Sequence, residues 1–147
     1  MNSRTNTKIL EDVRINVKLK LAGIWTAVTL CYIYADIVGF YQPGAIDGIL
    51  SGKMGPLGST TQELLLAVAI FMSTPCAMVF VSIFFKPKIN RWLNIIFGII
   101  HTVAMILTMF MGPWTFYLYF GIIEVIFTLL IVWFAWNWPK VIEIKET

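Results

Sequence analysis

The chain has 147 residues, of which 59% are hydrophobic and 13% charged, with a formal net charge of +3. Soluble domains carry about 25% charged residues, so this composition excludes a soluble globular domain. The positive charge is not clustered among exposed aromatic residues, which excludes a nucleic-acid surface; a mean hydropathy of +0.80 points instead to an integral membrane protein in contact with the lipid bilayer.

The N-terminal tail, residues 1–20, spaces Ile9, Val13 and Val17 four apart, with Glu11, Asp12, Arg14 and Lys18 elsewhere around the wheel. That pattern predicts an interfacial amphipathic helix over Thr7–Lys20 that runs into the first membrane segment. Four apolar blocks follow, at about 21–41, 64–85, 92–111 and 116–138. Each is near the ~20 residues that a spanning helix requires. The expectation is an all-α, up-down bundle of four transmembrane helices in one domain over residues 1–147, with a long extracytoplasmic loop between helices one and two. Ten of the eleven Lys and Arg residues fall in the N-terminal tail, the second connection and the C-terminal tail, with Lys53 the exception. The positive-inside rule then places both termini in the cytoplasm of a plasma (inner) membrane protein.

In helix one, Ala22, Trp25, Thr29, Tyr32, Asp36 and Gly39 fall at alternating intervals of three and four, the seam of a left-handed helix pair. Asp36 sits at a depth where an unpaired carboxylate is unfavourable, so it should face protein or a water-filled mouth. The connection Gln42–Thr61 is rich in glycine and proline, and its apolar run Ala45–Leu50 reads as a re-entrant turn or lid. Thr60-Thr61-Gln62-Glu63 matches a capping box. Helix two holds Pro75, which frees a carbonyl one turn earlier, with Ser73 and Thr74 at hand to satisfy that backbone. The run Lys86-Pro87-Lys88-Ile89-Asn90-Arg91 reads as a short basic connection. Helix three repeats the seam with Asn90, Asn94, Gly98, His101, Met105, Thr108 and Gly112, and helix four answers with Tyr117, Gly121, Glu124, Thr128, Ile131 and Ala135.

His101 and Glu124 lie at mirror distances from Gly112-Pro113, which predicts a hydrogen-bonded pair at mid-depth, with an Asp36–Glu124 carboxyl pair as the alternative. Cys31 and Cys76 share that depth, but the four positions lack the local spacing of a metal motif, so neither metal nor cofactor is expected. Trp25, Tyr32, Asp36, Asn94, His101, Met105 and Glu124 are the candidate ligand-binding residues: apolar walls with a few convergent polar groups suit a small lipophilic ligand. No motif names a reaction. A proton-coupled transporter working as a homodimer, an accessory subunit of a larger complex and an intramembrane acid–base enzyme are the competing readings.

The segments Tyr32-Ile33-Tyr34-Ala35-Asp36, Gln42-Pro43-Gly44, Asn90-Arg91-Trp92-Leu93-Asn94-Ile95-Ile96 with Gly98, and Ile123-Glu124 resemble a family of small prokaryotic four-helix membrane proteins known only as a domain of unknown function. The resemblance covers all four helices and implies Asp36, Asn90, Arg91, Asn94 and Glu124 as positions of interest, with no activity attached. His101 lies outside the shared runs. A likeness of fold alone extends to quinone-linked oxidase subunits and sterol-isomerase-like domains.

Overall fold

A computed structural model describes residues 12–140. The elements in order are α1 (Val17–Gly39), α2 (Ala45–Leu50), a single 3₁₀ turn (Gly55–Leu57), α3 (Gln62–Phe84), α4 (Pro87–Met109) and α5 (Thr115–Trp136). Four of them, α1, α3, α4 and α5, are long and apolar enough to cross a membrane, which suggests a multi-pass membrane protein. Their outward faces carry Leu30, Ile33, Ile99, Val103, Ile122 and Leu129, all exposed. An apolar surface of that extent suits lipid and not water.

Side-chain bonds fix how the helices align. Lys18, at the start of α1, donates to the carbonyls of Ile83 and Phe85 at the end of α3 (3.2 and 2.8 Å). Arg91, near the start of α4, donates in the same way to Ala135 and Trp136 at the end of α5 (3.1 and 3.3 Å). Each cation thus closes the unpaired carbonyls of a neighbour's C-terminus, where the helix dipole also favours positive charge. One end of the bundle, the terminal end, therefore holds Val17, Phe84, Pro87 and Trp136; the loop end holds Gly39, Gln62, Met109 and Thr115. In cross-section α1 packs between α3 and α5, and α5 packs on α4. Gly98 brings α4 close to α5: a β-carbon there would stand 2.8 Å from Val132 Cγ2.

Several boundaries differ from the sequence expectation, each for a local reason. Residues 12–16 are not helical. The Asn16 side chain accepts from the Lys18 amide at 2.9 Å and caps α1, so no amphipathic helix runs through this part of the tail; Thr7–Glu11 lie outside the described residues. Pro87, read as part of a connection, occupies the first turn of α4, where its missing N–H is one that helix would leave unpaired and its fixed φ suits the helix. Thr61, not Thr60, caps α3 by accepting from the Leu64 amide at 3.2 Å. The long connection folds on itself through the short α2, the 3₁₀ turn and a bridge between Lys53 and Ser59. None of its residues is buried, and Leu50 is 80% exposed. It is not seated as a lid on the bundle core.

Candidate functional site

The interior divides along its length into two polar layers. Near the terminal end, Asn94 Oδ1 accepts from Trp25 Nε1 (2.7 Å) and from Ser82 Oγ (3.3 Å). Its Nδ2 donates to Asn90 O (2.9 Å) and Asn90 Oδ1 (2.6 Å). Asn90 Nδ2 in turn donates to the Ser82 carbonyl (2.6 Å). Both amides are fully enclosed and use donors and acceptors alike, so α1, α3 and α4 are tied at one level with nothing left over.

About two turns further on stands His101, also fully buried. Pro75 has no amide hydrogen, so the carbonyl of Phe71, one turn back on α3, loses its helical partner. The Thr74 hydroxyl donates to that carbonyl at 2.6 Å. Having one hydrogen to give, Thr74 Oγ1 must accept in its contact with His101 Nε2 (2.6 Å). The imidazole then carries a hydrogen on Nε2; in the neutral ring Nδ1 is a lone pair, and the Tyr32 hydroxyl donates to it at 2.9 Å. Phe71 lies against the ring at a centroid distance of 4.4 Å. Both nitrogens of His101 are engaged.

His101 and Glu124 do not pair. Met109 meets Gly121 across the α4–α5 turn, and Thr102 donates to Thr128 at 2.7 Å, so the residue of α5 level with His101 is near Leu129. Glu124 is displaced about five residues toward the loop end, some 7.5 Å along the helix axis. The error lay in centring the hairpin on Gly112-Pro113: the helices are related about a point nearer Thr115. The α1 partners show the same alignment. Trp25–Asn94 and Tyr32–His101 are each 69 residues apart, which puts Asp36 level with Met105 and one residue from the level of Glu124.

Glu124 therefore belongs to a second layer with Asp36, Met105 and, two turns nearer the loop end on its own face, Tyr117. Glu124 is 2% exposed, and its Oε1 is buried with no hydrogen-bond partner among the described residues. Asp36 lies on the exposed side of this layer. No hydrogen bond joins the two carboxyl groups among the described residues. The nearby Tyr32 hydroxyl has its hydrogen committed to His101.

A family model described as a family of unknown function (DUF6326) matches residues 7–144. The chain belongs to that family. No curated protein and no solved structure matches it. In this DUF6326 chain the seven candidate residues thus separate: Trp25, Tyr32, Asn94 and His101 bond to one another or to the backbone beside them, whereas Asp36, Met105 and Glu124 line the layer with the free carboxyl oxygen. Ser82 and Phe71 carry weight that sequence reading missed. The spacing of Pro75, Met78 and Ser82, the three buried residues of α3, is the helical three-four pattern that marks Ser82 as inward-facing.

Proposed function

We propose that this protein binds a small lipophilic ligand within the membrane, its polar head at Asp36 and Glu124 and its apolar body against Met105 and the loop-end half of the bundle. The observation that carries the reading is the Glu124 carboxyl: enclosed, at membrane depth, and holding an oxygen without a donor among the described residues. Buried polar groups are otherwise paired almost without exception, and intramembrane carboxylates mark functional sites by default. The ligand head is accordingly a hydrogen-bond donor, such as an amine or a hydroxyl. His101 is a support for this site and not a ligand, since both its nitrogens are occupied.

Native mass spectrometry of protein extracted in mild detergent, with a series of alkylamines and fatty alcohols as probes, tests the reading. Retention of one of them by the wild type and its loss in Glu124→Leu is the expected result. Equal retention by both proteins, or no retention by either, overturns it.

The same unpartnered carboxyl favours a second reading, a homodimeric proton-coupled transporter with Glu124 as the titrating group. That reading requires proton flux in liposomes that Glu124→Gln abolishes. For either function the protein lies in the plasma (inner) membrane with both termini cytoplasmic and the Gln42–Thr61 connection outside. Single cysteines at Ser51 and Lys88, introduced after replacement of Cys31 and Cys76, report this with an impermeant thiol reagent: label from outside at position 51 and not at 88 is expected, and the reverse pattern inverts the topology.

A further inference from the structure

A groove of about 400 Å³ runs along the outside of the bundle between α1 and α5, at the terminal end. Its lining is apolar, with Leu19, Gly23, Ala27, Phe127 and Phe134 among its residues, and carries a single cation, Lys20. The stretch from Leu19 to Ala27 covers about 12 Å of helix, which fits within the ~15 Å of hydrocarbon that one leaflet provides.

Gly23 is the informative position. A glycine inside a helix is destabilising relative to alanine, and in membrane helices the usual compensation is a close approach between backbones. Gly98 and Gly121 follow that rule, since a β-carbon at either would press on a neighbouring side chain. Gly23 does not: a β-carbon there would meet nothing within 4 Å. Its missing side chain leaves open a channel floored by Gly23 and Ala27, one turn apart, and walled by Phe127 and Phe134, two turns apart. At the mouth, the Lys20 ammonium lies 5.3 Å from the centre of the Phe134 ring. Lys18 and Arg91 donate to helix-end carbonyls, whereas Lys20 stands at the head of an apolar channel. The same end of the bundle also carries Lys86 and Lys88, at the α3–α4 turn.

We infer that this groove holds one acyl chain of an anionic phospholipid, whose phosphate is taken by Lys20. Charge selects the occupant: a zwitterionic lipid would fill the channel equally well but would bring a cationic group to a cationic end. This groove lies on the outside of the bundle and its lining includes neither Asp36 nor Glu124, so it stands or falls independently of the ligand reading above.

The test uses the full-length protein in mild detergent, with phosphatidylglycerol and phosphatidylcholine of identical chains, and counts bound lipids by native mass spectrometry. The wild type is expected to retain one phosphatidylglycerol in preference to phosphatidylcholine. Lys20→Gln should lower phosphatidylglycerol retention about fivefold, to the phosphatidylcholine level, and Lys20→Arg should restore it. Gly23→Leu should remove the bound lipid of either kind. Equal retention of the two lipids, or an unaltered adduct in Gly23→Leu, overturns the inference. So does a dimer of the wild type that Gly23→Leu dissolves without loss of lipid, which would make a second copy the occupant. Should Gly23→Leu fail to fold, the Lys20→Gln and Lys20→Arg pair decides the matter alone.

Discussion

The two polar layers are built from similar materials and end in opposite states. Around Asn94 and His101, amide, indole, hydroxyl and imidazole groups satisfy one another across three helices. Around Glu124, an acid at nearly the same degree of burial has an oxygen, Oε1, without a donor among the described residues. In hydrocarbon no water repairs such a deficit, so the first layer holds the bundle in register, and the second is the layer on which the proposed ligand reading rests.

The difference can be broken most severely at Asn94. Asn94→Leu would strand Trp25 Nε1, Ser82 Oγ and the Asn90 side chain at once, and we expect a loss of about 3 kcal/mol, read by unfolding in mixed micelles. Next comes His101→Phe, which keeps the ring but frees the Tyr32 and Thr74 hydroxyls, at about 2 kcal/mol. A double-mutant cycle of His101→Phe with Tyr32→Phe should show a coupling of about 1 kcal/mol, whereas the cycle of His101→Phe with Glu124→Leu should be additive. Coupling in the second cycle would restore the pairing that the helix alignment rejects. Glu124→Leu should reverse the sign and raise stability by about 1 kcal/mol, because an apolar group of similar size replaces an unpartnered carboxyl; the accompanying loss of ligand would be the usual exchange of function for stability. The smallest effect belongs to Asp36→Asn, on the exposed side of the layer, where a change within about 0.5 kcal/mol is expected in the ligand-free protein. A large destabilisation there would mean that Asp36 is structural after all.

Much of the fold was legible because hydropathy and helical spacing both act along the chain. The seams of α1, α4 and α5 predict most of the inward faces: Trp25, Tyr32, Asn94, His101, Glu124 and Thr128 are buried, whereas Asp36 on the α1 seam is exposed. What spacing cannot supply is the axial offset between one helix and the next. That offset is set where side chains from different helices meet, as when Gly98 admits Val132 and Gly121 receives Met109. A shift of about five residues was enough to move Glu124 away from His101 and to the level of Asp36. The helix starts were misjudged for a different reason, since apolar content says where a span must lie but capping chemistry at Asn16 and Pro87 says where the helix begins.

Pro75 has a reach that its usual description as a kink does not convey. By withholding one hydrogen from the Phe71 carbonyl it gives direction to the whole row that follows: tyrosine to imidazole, imidazole to threonine, threonine to carbonyl, every hydrogen pointing the same way. Supply that hydrogen, as Pro75→Ala would, and the Phe71 carbonyl regains its amide; the threonine hydrogen is released, and the row can run backwards with the proton on the other imidazole nitrogen. The two tautomers have distinct nitrogen chemical shifts, so a backbone change on α3 becomes readable as an isotope signal on α4.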